Sequence, residues 1–160
     1  MPLRLNVRLA REGDVDQLTD LIVRLKSLNS ELDPHFLPDE NILDTVRRYV
    51  GESITSDKAV VLVAEDEESG RIVGVLRFEI VDRLFYKPRI KAVITDIYVH
   101  PAYRGKGIGR LLVERAAAEA KKRGAGLLTV IYPEGNLIAE SFYNKMGFQP
   151  LQKEKYLRLQ

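Results

Sequence analysis

The chain contains no cysteine. Disulfides, thiolate metal sites and a cysteine nucleophile are therefore excluded. Histidine is nearly as scarce, with His35 and His100 the only 2, so a histidine-rich metal centre is excluded and no metal is expected. No apolar run approaches the roughly 20 residues of a membrane-spanning helix. The opening stretch Met1–Asn6 lacks the apolar centre of a secretory leader, so the cytoplasm is the expected location and no membrane partner is expected. A dominant charge is missing too: 25 Lys and Arg face 23 Asp and Glu, for a net +2. That leaves no general field for nucleic acid, whose binders carry a strongly basic face. Repeats, linkers and low-complexity segments are also absent.

What is present suits one globular domain over residues 1–160, with enough apolar sequence for a single core. Residues Leu3–Leu9 alternate as a first strand. Asp14 and Gln17 have capping-box spacing, and Val15, Leu18, Leu21, Ile22, Leu25 and Leu28 follow at helical period. Pro34 and Pro38 break this helix, and a second one follows Asp39 with Val46, Tyr49 and Val50 on one side. Residues 58–65 and 71–85 read as a hairpin turning at 66–70, and 92–99 as the next strand, stopped by Pro101. A helix over 108–123 ends at Gly124, a buried strand spans 127–131, and a helix capped by Asn136 ends at Gly147. Residues 148–159 are expected to add one or two closing strands. The fold class is therefore α/β: a mixed, mostly antiparallel twisted sheet of six to seven strands flanked by about four helices.

Between the strand at 92–99 and the helix at 108 lies Arg104-Gly105-Lys106-Gly107-Ile108-Gly109, followed by Arg110. Alternate glycines let backbone N–H groups turn inward and approach an anion closely. The helix adds its own unpaired N–H groups and the positive end of its dipole. Arg104, Lys106 and Arg110 add full charges. This combination suits phosphate. It is not a Walker loop, since position 110 is Arg, and it is not the G-x-G-x-x-G of dinucleotide binders.

The loop matches R/Q-x-x-G-x-G/A without a gap and resembles the acetyl-CoA signature of the GCN5-related N-acetyltransferase superfamily. The downstream run Asn136, Ala139, Phe142-Tyr143, Lys145 and Gly147-Phe148 is similar to that family as well. The two blocks cover residues 92–150. The resemblance implies acetyl-CoA as cosubstrate, bound by a pantetheine arm pairing with backbone of Ile97, Tyr98 and Val99. It implies a diphosphate held by the N–H groups of Gly105, Lys106, Gly107, Ile108, Gly109 and Arg110, with Arg104 holding the loop's shape. Asn136 would bond the pantetheine or help splay its strand, and Tyr143 would lie beside the thioester sulfur.

Acetyl transfer to an amine has two proton problems. The amine, with pKa about 10, arrives charged, and the departing thiolate takes up a proton with pKa about 8.5. Tyr143 is the candidate acid for the second task. Many members of the family carry an acid in the strand before the loop; here the two positions are Thr95 and Asp96, which makes Asp96 the candidate base. Strand alternation puts Asp96, Tyr98 and His100 on one face and Thr95, Ile97 and Val99 on the other, unless a bulge intervenes. Glu31, Asp33, His35, Phe36 and the Phe85-Tyr86 turn are candidates for the acceptor pocket. The expected acceptor is a primary amine on a small molecule (amino acid, polyamine or related metabolite). Alternatives are a protein N-terminus or lysine, and a non-catalytic sensor that binds acetyl-CoA. A homodimer is compatible with such a fold.

Overall fold

The computed structural model describes residues 3–160, so the first two residues of the expected domain lie outside the described residues. Five strands form one sheet in chain order: β1 (Leu5–Leu9), β2 (Ala59–Asp66), β3 (Arg71–Asp82), β4 (Ile90–Val99) and β5 (Leu127–Val130). The first four pair antiparallel, and β4 pairs parallel with β5 over residues 91–94 and 127–130. The parallel pair needs a crossover, which α3 (Ile108–Lys122) supplies. Helices α1 (Val15–Asn29) and α2 (Ile42–Thr55) precede β2, and α4 (Leu137–Lys145) follows β5.

The sheet is covered on both faces, which is why β2 and β3 read as nearly continuous apolar runs. One core contains Leu62, Leu76, Phe78 and Ile94 against Ile108, Leu112 and Ala116 of α3, with Tyr143 of α4. The other contains Val61, Val63, Val75 and Tyr98 against Leu18, Leu21 and Ile22 of α1 and Val46 and Val50 of α2. Together these cores remove most large aliphatic side chains from water, each contributing about 1.5–3 kcal/mol.

Three expectations are corrected. The sheet has five strands, because residues 148–160 form no strand. Pro150 lacks an N–H for a ladder, and Leu151, Tyr156, Leu157 and Leu159 are all exposed, so the segment buries no face that would stabilise pairing. The Asp14–Gln17 capping box does not form. Asp14 instead accepts from both terminal nitrogens of Arg8 (2.8 and 3.0 Å) and from the Arg11 N–H, while Gln17 Oε1 accepts from the Ile72 N–H. Asp14 is thus taken by groups just upstream of the helix and Gln17 by a strand 55 positions away, so the local cap is lost. Thr95 is also not on the face of Ile97 and Val99, for a reason that shapes the site.

Candidate active site

The reason is a β-bulge in β4. Asp96 stands opposite Arg77 and Ile94 opposite Phe78, so Thr95 is an extra residue in the ladder. Side-chain phase reverses across it. Ala92, Ile94, Ile97 and Val99 face the α3 core, whereas Thr95, Asp96 and Tyr98 face α1 and α2. Backbone phase reverses too. The His100 N–H donates to the Val73 carbonyl, so by alternation Asp96 and Tyr98 direct their backbone groups to β3. Ile97 and Val99 direct theirs to the opposite edge. That edge is open, because β5 stops pairing after Ile94 and Val130, apart from one bond from Ile131 N to Ile94 O at 3.3 Å.

The glycine loop continues from this edge. Arg104 Nε donates to Val99 O at 3.1 Å, and its guanidinium lies 5.2 Å from the Tyr98 ring centroid. These contacts tie the loop to the end of β4. Gly105 and Gly107 both have φ +78°, a left-handed backbone that side chains disfavour. With two such turns in succession, the N–H groups of residues 105–110 donate to no acceptor among the described residues. The first intrahelical-type bond is Leu111 N to Gly107 O at 3.1 Å. Gly109 has a different use: it lies where Phe142 of α4 packs closely.

Asn136 Oδ1 accepts from Ala139 N at 3.1 Å and so caps α4. Two turns after this cap, Tyr143 is 2% exposed. Its ring stacks on Tyr132 and meets Phe142 and Phe148 edge-on. Its hydroxyl is buried with no hydrogen-bond partner among the described residues. Burial, with a smaller contribution from Tyr132, pushes the phenol pKa well above its ordinary value.

Asp96 is also buried, and both its oxygens are engaged. Oδ2 accepts from Tyr49 Oη at 2.6 Å and Thr95 Oγ1 at 2.9 Å; Oδ1 accepts from Lys26 Nζ at 2.5 Å. Burial, then the Asp96 carboxylate, raise the Tyr49 pKa, so Tyr49 remains a donor. Arg77 extends the network. It donates to Ser53, Glu79 and Thr95, and its guanidinium lies 4.2 Å from the centroid of the Tyr49 ring. Lys26, Tyr49 and Arg77 escaped the sequence reading as site residues. Two of them carried a signal: Lys26 continues the Leu18–Ile22 stripe at i+4, and Arg77 interrupts an apolar strand.

The model of the acetyltransferase (GNAT) family matches residues 23–148, most of the chain. The chain belongs to this family. Among individual GNAT relatives, it is 35% identical over 111 residues to streptothricin acetyltransferase of Streptomyces lavendulae, covering 69% of this chain and 54% of that protein. It is 38% identical over 66 residues to L-ornithine N5-acetyltransferase of Arabidopsis thaliana, covering 41% of this chain and 29% of that one. The match thus spans about half, or less, of these relatives' lengths. A predicted acetyltransferase of Clostridium acetobutylicum, solved with acetyl-CoA, superposes with a TM-score of 0.79 at 23% identity, covering 98% of this chain and 97% of that one. That structure shares this fold.

The remaining acceptor-side candidates of this GNAT chain are scattered. Asp33 accepts from the His35 N–H and ring, and the His35 ring packs on Tyr156 with centroids 4.4 Å apart. Phe36 is half-exposed beside them. Phe85 and Tyr86 sit at the exposed tip of the β3–β4 hairpin, beyond the start of β4 and far along the strand from Asp96. His100 caps the turn at Pro101–Tyr103 by accepting from Ala102 N.

Proposed function

We propose that this protein is an N-acetyltransferase that moves the acetyl group of acetyl-CoA directly onto a primary amine of a small molecule. The observation that carries this reading is the row of unpartnered N–H groups at 105–110, opening the helix and braced by Arg104 against the open edge of β4. It is suited to a diphosphate, with Lys106 and Arg110 adding charge. Ile97 and Val99 supply the backbone groups that a pantetheine arm would pair with as an added strand. The Asn136 amide nitrogen has no acceptor among the described residues and serves the same arm.

The cosubstrate supplies an activated acetyl group; this chain's residues manage charge around it. Asp96 accepts the proton that the arriving ammonium must lose. The Ile97 N–H, aimed at the open edge, donates to the carbonyl oxygen as negative charge develops there. Tyr143 donates its hydrogen bond to the departing sulfur. Burial raises its pKa, so it is protonated when the C–S bond breaks and donates to the leaving sulfur. The second proton that the amine nitrogen sheds as the C–N bond forms is released with the products. A buried carboxylate reached past a single lysine suits a slender alkyl amine. The named relatives that act on streptothricin and on ornithine support a small acceptor.

A thiol-release assay tests the proposal, using acetyl-CoA with a panel of small amines and of peptides. Release with small amines supports it. Release only with peptides moves the acceptor to protein, and tight acetyl-CoA binding without any release makes the chain a sensor.

A further inference from the structure

We propose that Lys26 is a built-in stand-in for the acceptor's ammonium, which the true acceptor must displace from Asp96 to bind. The inference rests on the acetyltransferase reading and adds a specificity device to it.

The two oxygens of Asp96 are held in different ways. Oδ2 is fixed by two short-range neutral donors, the Tyr49 hydroxyl from α2 and the Thr95 hydroxyl from the bulge. Oδ1 has one donor among the described residues, the Lys26 ammonium at 2.5 Å. The Asp96 side chain is fully buried, whereas that of Lys26 is 34% exposed. Lys26 therefore lies between the carboxylate and solvent. Its four-carbon stem is flexible and strongly hydrated at its head, so it leaves a pocket more readily than an arginine would.

Charge explains why the exchange is selective. Locally, Asp96 and Glu79 balance Lys26 and Arg77. When Lys26 swings to water, the balance becomes one negative charge in a buried setting. Only a cation that also hydrogen-bonds restores it, and a primary ammonium on a slender chain reproduces what Lys26 offered. Neutral or bulky groups do not, and an unpaired buried carboxylate opposes their entry. Once bound, the acceptor sits against Oδ1, where the proton on its nitrogen passes to the carboxylate oxygen. Lys26 thus both rejects weak competitors and marks the place that the nucleophile takes.

The thermodynamic consequence is competition: an internal ligand raises the apparent dissociation constant of the external one. Two substitutions push in opposite directions. Lys26→Met removes the competitor and is expected to lower the KM for the amine several-fold. Lys26→Arg holds Oδ1 more firmly and is expected to raise it. A merely structural ion pair gives a different pattern, in which Met harms the amine KM and Arg rescues it; that result overturns the proposal.

A second measurement is independent of turnover. The side-chain 15N resonance of Lys26 is followed while ethylammonium, then tetramethylammonium at equal ionic strength, is added to the wild-type protein. Saturable movement with ethylammonium alone is expected. No movement with either, or equal movement with both, overturns the exchange. If ethylammonium displaces Lys26 but no amine releases thiol, the acetyltransferase reading fails and the exchange stands. If amines release thiol and Lys26 does not respond, the exchange fails alone.

Discussion

Tyr143 stacks on Tyr132 with ring centroids 5.7 Å apart and planes 11° from parallel, and this sandwich leaves the Tyr143 hydroxyl buried without a partner among the described residues. Aromatic packing secures the ring, and the polar tip is the part that the fold leaves unsatisfied. Such a group has opposite consequences for stability and for activity.

Tyr143→Phe is accordingly expected to raise stability by about 1 kcal/mol, since it removes a buried oxygen that bonds to none of the described residues. It is expected to lower kcat by about a hundredfold, with acetyl-CoA affinity nearly unchanged. Thermal melting and steady-state kinetics on one preparation read both. A destabilised variant with full activity would remove Tyr143 from the chemistry.

Gly107→Val is expected to weaken acetyl-CoA binding strongly. Among the described residues, a Cβ at Gly107 meets no atom within 4 Å, so they leave room for it. The cost comes from the φ of +78°, about 1–2 kcal/mol for a residue with a side chain, and from filling the space beside the unpaired N–H groups. Calorimetric titration with acetyl-CoA checks this. Normal heats from a folded variant would show that the loop is a turn and no more.

Tyr49→Phe takes a donor from the buried Asp96 while keeping the ring under Arg77. A stability loss of about 1–3 kcal/mol is expected from the under-satisfied carboxylate. Amine kcat/KM should fall together with stability, while the KM for acetyl-CoA holds. An equal loss in both substrates would mean a general distortion of β4.

Acid sensitivity is expected from Asp14. Burial pushes its carboxyl up, but the hydrogen bonds from Arg8 and the Arg11 N–H outweigh that and hold it below its ordinary 3.8. A carboxyl depressed in the folded state contributes stability that is complete above 3.8 and is lost as pH falls through the folded value. Melting temperature should therefore drop more steeply below that pH in the wild type than in Asp14→Asn, which is less stable at neutral pH. Parallel curves would remove the linkage.

Much of this molecule was legible before its coordinates. Helix periods, the stops at Pro101 and Gly124 and the Asn136 cap are local signals, decided within a few residues. The glycine loop was legible because positive φ and bare N–H groups demand residues of that kind. The trailing segment misled, since Leu151 to Leu159 look like strand positions. Strand formation depends on a partner edge, and no periodicity within a segment supplies one.

The left-handed turns at Gly105 and Gly107 and the place of Tyr143 in α4 thus followed from sequence, because each is written within one short stretch of chain. The orientation of Thr95 and the saturation of Asp96 did not. One inserted residue in β4 reverses every later side chain, and it leaves no mark in composition or period. Lys26 and Asp96 are separated by 70 positions, and only the packing of α1 across the sheet brings the two charges together. Tertiary structure decides such pairs because the low-dielectric interior, rather than the neighbouring sequence, makes their meeting worthwhile.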